Sequence, residues 1–89
     1  MNYPIAIHKD TDSDYGVTVP DLPGCFSAGS TLDEAISMAK EAITLHIEGM
    51  IEDGETVPSP GAIEVHQQND DYRGATWAVV SIELSNLGV

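Results

Sequence analysis

Hydrophobic residues recur at helical spacing over one long stretch of the chain and at alternate positions over most of the remainder. Laid out at about 100° per residue, residues 30–54 place Leu32, Ala35, Ile36, Ala39, Ile43, Ile47 and Met50 on one face, against a polar arc of Asp33, Ser37, Lys40, Glu41, Thr44 and Glu48. The spacing therefore predicts one long amphipathic helix. Thr31 followed three residues later by Glu34 reads as a capping box, Asp33 and Glu34 suit the positive end of the helix dipole, and Gly54 suits a left-handed cap at the other end. Met38, Ala42, Leu45 and Gly49 make a second, smaller apolar stripe about a third of a turn away. That stripe needs its own cover, either from a later segment of the chain or from a partner.

Before the helix, Tyr3, Ile5 and Ile7 alternate with Pro4, Ala6 and His8, the period of a half-buried strand whose proline belongs at an edge or an unpaired position. The polar cluster of residues 10–14 turns the chain back into a second alternating run, residues 15–19. Two prolines and a glycine in residues 20–24 break the ladder, and residues 25–28 make a short third strand. After the helix, residues 57–60 read as an extended linker, and Ser59 with Pro60 can open a short helix to about His66. Residues 67–74 are polar loop. Residues 75–84, ATWAVVSIEL, are apolar on both faces, which predicts a central strand. The fold class expected is α+β, an antiparallel sheet in the order β-β-β-α-(short α)-β with the long helix packed on one face.

Charge narrows the choice of partner. Three Lys plus Arg against fifteen Asp plus Glu give a net charge of −12 on 89 residues, which repels nucleic-acid phosphates and attracts basic proteins. A chain this short buries only about 60% of its extended surface, so self-association, as a two-fold dimer or larger, is expected to support it. Cys25 is the single cysteine, which rules out an intrachain disulfide framework and fits a reducing cytoplasm. Neither a signal peptide nor a membrane-spanning apolar run is present in the sequence.

Candidate chemistry is sparse. Asp10, Asp12, Asp14 and Asp21 fall at positions 1, 3, 5 and 12 of a calcium-loop template, but the glycine is one place late, an aspartate replaces the bidentate glutamate and a strand precedes the loop. The cluster is expected to bind calcium no better than about millimolar. His8, His46, His66 and Cys25 lack the close spacings of a zinc site. Neither a nucleophile motif nor a phosphate-binding glycine loop occurs, so no catalytic residue, metal or cofactor is assigned.

The order of elements, together with YGVTVPDLPGC at residues 15–25, GSTLDEA at residues 29–35 and EDGETVP at residues 52–58, resembles the HicB antitoxin family. The D-L-P-G-C turn, the T-L-x-E-A helix start and the E-D-G-E-x-x-P helix exit are specific in combination. The resemblance implies a partial RNase H-like fold without nuclease activity that binds and masks a small basic mRNA-cleaving toxin, HicA. Family members usually continue past the last strand into a DNA-binding segment that represses their own operon. Residues 1–84 are accordingly expected to form the antitoxin domain, and residues 85–89 its end or the start of a linker to a DNA-binding segment absent from this sequence. The expected toxin-binding residues are Asp14, Tyr15, Asp21, Leu22 and Phe26, with Met38, Ala42 and Leu45 in an oligomer or partner contact. The competing readings are a metal-dependent nuclease on the related fold and a free-standing ligand-binding or structural module.

Overall fold

A computed structural model describes residues 1–9, 12 and 14–83. Strands β1 (Asn2–Lys9), β2 (Tyr15–Thr18) and β3 (Phe26–Gly29) lead into the long helix α1 (Leu32–Glu52), followed by the single turn α2 (Ile63–His66), a 3-10 turn (Asp70–Tyr72) and strand β4 (Thr76–Ser81). The four strands form one antiparallel sheet in the order β3-β2-β1-β4, with α1 against one face. The predicted α+β class and arrangement are those of the structure.

Pleating explains which residues fill the core. Tyr3, Ile5, Ile7, Val17, Val19, Val80 and Ile82 project from one side of the sheet onto Ala35, Ala39, Ile43 and Ile47 of α1, with Leu22 and Cys25 closing the end. Alanines at 35 and 39 bring the first turns of the helix close to the sheet. At Gly29 the approach is so tight that a Cβ would lie 2.4 Å from the Ala35 backbone nitrogen, a clash with main chain that no side-chain rotation relieves. The predicted helix face is buried at its centre, while Ile36 and Met50 pack from the margin and Leu32 is left largely exposed.

Local signals set the helix ends. The Glu34 amide donates to Thr31 Oγ1 at 3.1 Å, and the Glu34 carboxylate accepts from the amide of Ser30 at 3.0 Å, so the reciprocal half of the capping box falls one residue earlier than the usual pairing. At the exit the Glu55 amide donates to the Met50 carbonyl and the Gly54 amide to the Ile51 carbonyl, a Schellman turn made possible by Gly54 at φ 72°.

Pro4 lies in the inner strand β1 but beyond the last β1–β2 pair at Ala6 and Thr18, an unpaired position of the kind expected, where its missing N–H interrupts no ladder. Two expectations need correction. Among the described residues β4 is an edge strand, although both of its faces are apolar. The short helix starts at Ile63 with Ala62 as an N-cap that makes no side-chain bond, because the Tyr3 hydroxyl donates to the Pro58 carbonyl at 2.6 Å and residues 57–60 stay extended over the core. The predicted end of the last strand at Leu84, residues 85–89, and Asp10 of the calcium-loop template lie outside the described residues. Among the described residues no group of three or more His, Cys, Asp or Glu is placed to hold a metal ion, and no helix is long and apolar enough to cross a membrane.

Two buried protic groups give the fold an alkaline limit. Burial pushes the Tyr3 phenol above its ordinary value, with the nearby Asp21 charge adding to the effect, and burial pushes the Cys25 thiol up as well. Both hold their protons more tightly folded than unfolded. Their contribution is therefore complete below the unfolded values, 9.0 for the thiol and 10.0 for the phenol, and is lost as pH rises through the higher folded ones. Urea midpoints should be flat from neutrality to about pH 8.5 and fall by about pH 10.5, with a smaller fall in Cys25→Ala. Midpoints that are level across this range, or an unchanged fall in the variant, would remove these groups as the cause.

Candidate protein-docking surface

The core uses one side of α1 and leaves the second apolar stripe uncovered. Ala42 is half-buried against the core margin, but Met38 is 42% and Leu45 61% exposed. Among the described residues no later segment of the chain covers either. At the C-terminal half of the helix the stripe runs into an open groove of about 480 Å³, lined by Leu45, His46, Gly49 and Met50 on the helix, Leu22 and Pro23 on the turn before β3, and Pro58 with Asp53 and Glu55 across the helix exit.

Each wall has a local cause. In the turn, the Leu22 amide donates to the Val19 carbonyl and the Cys25 amide to the Leu22 carbonyl, which drives the Leu22 side chain inward and leaves Pro23 at the rim; Gly24 at φ 85° allows the sharp return. The Schellman turn swings Glu55 back beside Met50, and the Tyr3 hydroxyl fixes Pro58 opposite the helix.

The electrostatics of this end run against the helix. Glu48, Glu52, Asp53 and Glu55 are all exposed around the C-terminus, where the dipole already concentrates negative potential, and the last turn holds no basic residue. The cations of the chain sit elsewhere: Lys9 lies over the Tyr15 ring at 5.6 Å, Arg73 pairs with Asp70 at 3.1 Å, and Lys40 is about two turns before Glu48. The result is an apolar groove with an anionic rim, suited to a ligand that presents a cation beside apolar groups.

The residues expected to contact a toxin are not gathered on one surface. Leu22 is 0% exposed and belongs to the core, which removes it from any contact in this conformation apart from its place on the groove floor. Asp21 is turned inward: its Oδ1 lies 3.0 Å from His66 Nε2, and its other oxygen is buried with no hydrogen-bond partner among the described residues. Tyr15 pairs with Gly29, and Phe26 with Thr18, so the pleat sends the two aromatic rings to opposite faces of the sheet. Tyr15 packs half-buried at the core margin, and Phe26 is 66% exposed on the face away from the helix. Asp14 is exposed at the start of β2.

Sequence inspection missed the cluster that closes the other face. His66 stacks on Trp77 with ring centroids 6.3 Å apart, and Tyr72 meets the same indole edge-on at 5.7 Å. Together with the Asp21 pair, these contacts tie the segment after the helix across the outer side of the sheet. No local motif announces a bond between residues 45 positions apart. The acidic groove rim, in contrast, was legible as a helix exit, EGMIEDGE, with acids where the dipole favours bases.

The profile of the HicB-like antitoxins of bacterial toxin–antitoxin systems matches residues 3–89. A 14.9 kDa protein of Haemophilus phage HP1, from the rep-hol intergenic region, is 51% identical over 87 residues, which cover 98% of this chain and 65% of the relative. The crystal structure of the Burkholderia pseudomallei antitoxin HicB is similar at a TM-score of 0.88 and 50% identity, over 96% of this chain and 65% of that one. A chain of the HicA3 and HicB3 toxin–antitoxin complex is similar at a TM-score of 0.73 and 32% identity, over 93% of this chain and 99% of that one. The protein thus spans 65% of the length of the phage relative and of the Burkholderia antitoxin. Because the profile takes in nearly the whole sequence and the fold agrees with that of solved relatives at half identity, the chain belongs to the HicB-like antitoxin family.

Proposed function

We propose that this chain is the toxin-binding domain of an antitoxin and acts without catalysis, in the cytoplasm, by covering a small basic HicA-like toxin that cleaves mRNA. The observation that carries this reading is the anionic rim around an uncovered apolar groove on a chain of net charge −12. Long-range attraction would speed encounter with a cationic toxin, and Leu45, with Met38 beyond it, would supply the apolar contact that slows release. Kinship with a chain of the HicA3 and HicB3 complex supports the choice of partner. A nonenzymatic role is supported by the disposition of the acids, which are spread over the hairpin, the solvent face of α1 and the helix exit.

The test is neutralisation. Purified chain should form a stable complex with a HicA-like toxin, suppress its RNA cleavage stoichiometrically, and associate more slowly as salt shortens the screening length to about 8 Å at physiological ionic strength. Undiminished RNA cleavage at excess antitoxin would refute the reading. Cleavage of RNA by the chain alone in the presence of a divalent metal would favour the nuclease alternative.

A further inference from the structure

We infer that the Asp21–His66 pair is a positioning strut of the docking groove: it holds the wall at Pro58 against the wall at Leu22 and Pro23, and so sets how long a bound toxin stays without touching the toxin itself. This rests on the toxin-binding reading of the groove and adds to it a residue outside the groove, His66.

The two walls belong to separate parts of the chain. Leu22 and Pro23 stand on the turn before β3, whose backbone bonds run among Val19, Leu22 and Cys25, while the amides of residues 65–69 donate only to the carbonyls of residues 62–66. Among the described residues no backbone hydrogen bond joins one wall to the other. Side chains do so instead. The Tyr3 hydroxyl reaches the Pro58 carbonyl from β1 at 2.6 Å, and His66 Nε2 lies 3.0 Å from Oδ1 of Asp21, the residue directly before Leu22. The Asp21–His66 pair therefore runs from the segment of one wall to the segment of the other.

Gly61 carries the constraint from the pair to Pro58. A Cβ at Gly61 would lie 3.0 Å from His66 Nε2 and 3.1 Å from Asp21 Oδ1, so its main chain is seated directly on the pair. The rings of Pro58 and Pro60 fix φ at about −65°, which leaves the short step from Gly61 back to Pro58 little freedom to absorb a shift. On its other side the imidazole is stacked on Trp77, with ring centroids 6.3 Å apart, and cannot swing away from Asp21 without giving up that contact.

The carboxylate depends on this partner. The Asp21 side chain is 10% and that of His66 18% exposed, and the second Asp21 oxygen has no hydrogen-bond partner among the described residues. Removal of the imidazole donor strands a carboxylate away from water, a cost that the turn relieves by moving Asp21 outward, with Leu22 and Pro23 following. The groove then loses the spacing of its walls while every residue that lines it is unchanged.

Stopped-flow binding of the chain to the basic toxin reads the strut in the dissociation rate. His66→Phe keeps a ring on Trp77 and loses the bond to Asp21; it should release toxin about tenfold faster, the scale of one hydrogen bond to a charged group, with association changed less than about twofold because the acids of the rim stay in place. His66→Gln keeps a donor for Asp21 and loses the stack, and should release toxin at the parent rate. Asp21→Asn leaves no stranded charge to threaten the fold but weakens the bond to a neutral one, and should release toxin about threefold faster. Loss of fold lowers the active fraction in a stoichiometric titration and leaves the release rate of the complex that does form unchanged, so the rate separates a moved wall from an unfolded chain. Release at the parent rate from folded His66→Phe or from Asp21→Asn, or release from His66→Gln as fast as from His66→Phe, would overturn the strut. Leu45→Lys tells this apart from failure of the groove reading. If it loses affinity while His66→Phe releases toxin at the parent rate, the groove stands and the strut falls; if it binds as the parent does, the groove is not the toxin site and both fall.

Discussion

Ile43→Ala will destabilise the fold by about 2–5 kcal/mol, a large share of the roughly 4–13 kcal/mol available to a chain of this size. Ile43 is fully buried at the centre of α1, between the alanines that set the helix close to the sheet and Ile47 one turn on. Close approach on one side and a rigid four-stranded sheet on the other leave little freedom to collapse into the space, so the loss should exceed the transfer term alone. At about 4–8 °C per kcal/mol, the thermal midpoint should drop by at least ~8 °C. A loss under about 1 kcal/mol would mean that the helix face is not packed as described.

The second large effect separates stability from function. Leu45→Lys places a charge in a position already 61% exposed, so the circular dichroism and the thermal midpoint should be little changed, yet affinity for the toxin should fall by about 30-fold or more, the scale of a lost interface anchor. Glu52→Lys with Asp53→Lys should go further and move the two properties in opposite directions. Each replacement puts a cation where the helix dipole favours one, worth about 0.3–1 kcal/mol of added stability, and each removes rim charge that a basic partner would use. Unchanged toxin binding by both variants would move the docking site away from this groove. A fall in stability of the double variant would refute the claim that acids at this helix end are retained against the fold's own interest.

The cluster on the outer face explains why charge reversal at Asp21 is a poor probe of binding. Asp21→Lys would break the pair with His66 and bury an ammonium where Gly61 leaves no room, since even a Cβ there would lie 3.1 Å from Asp21 Oδ1. Loss of toxin inhibition in that variant would report a disordered outer face.

Contacts between near neighbours in the sequence account for what could be read in advance. The long helix, its cap at Thr31, its stop at Gly54 and the presence of a second apolar stripe through Met38, Ala42 and Leu45 follow from a 3.6-residue period and residue types within a few positions of each other, though whether chain or partner covers that stripe does not. The first three strands follow in the same way from alternation and turn residues, and net charge pointed to a basic partner. Pairings between distant segments settled the rest. Whether β4 lies inside the sheet or at its rim depends on which strand it meets, and an apolar strand reads the same in either place. Register put Tyr15 and Phe26 on opposite faces, hydrogen bonds within the turn drew Leu22 into the core, and a histidine 45 residues away claimed Asp21. A run of residues announces its own period, but the face it presents and the partner it finds are set by chain that lies far from it.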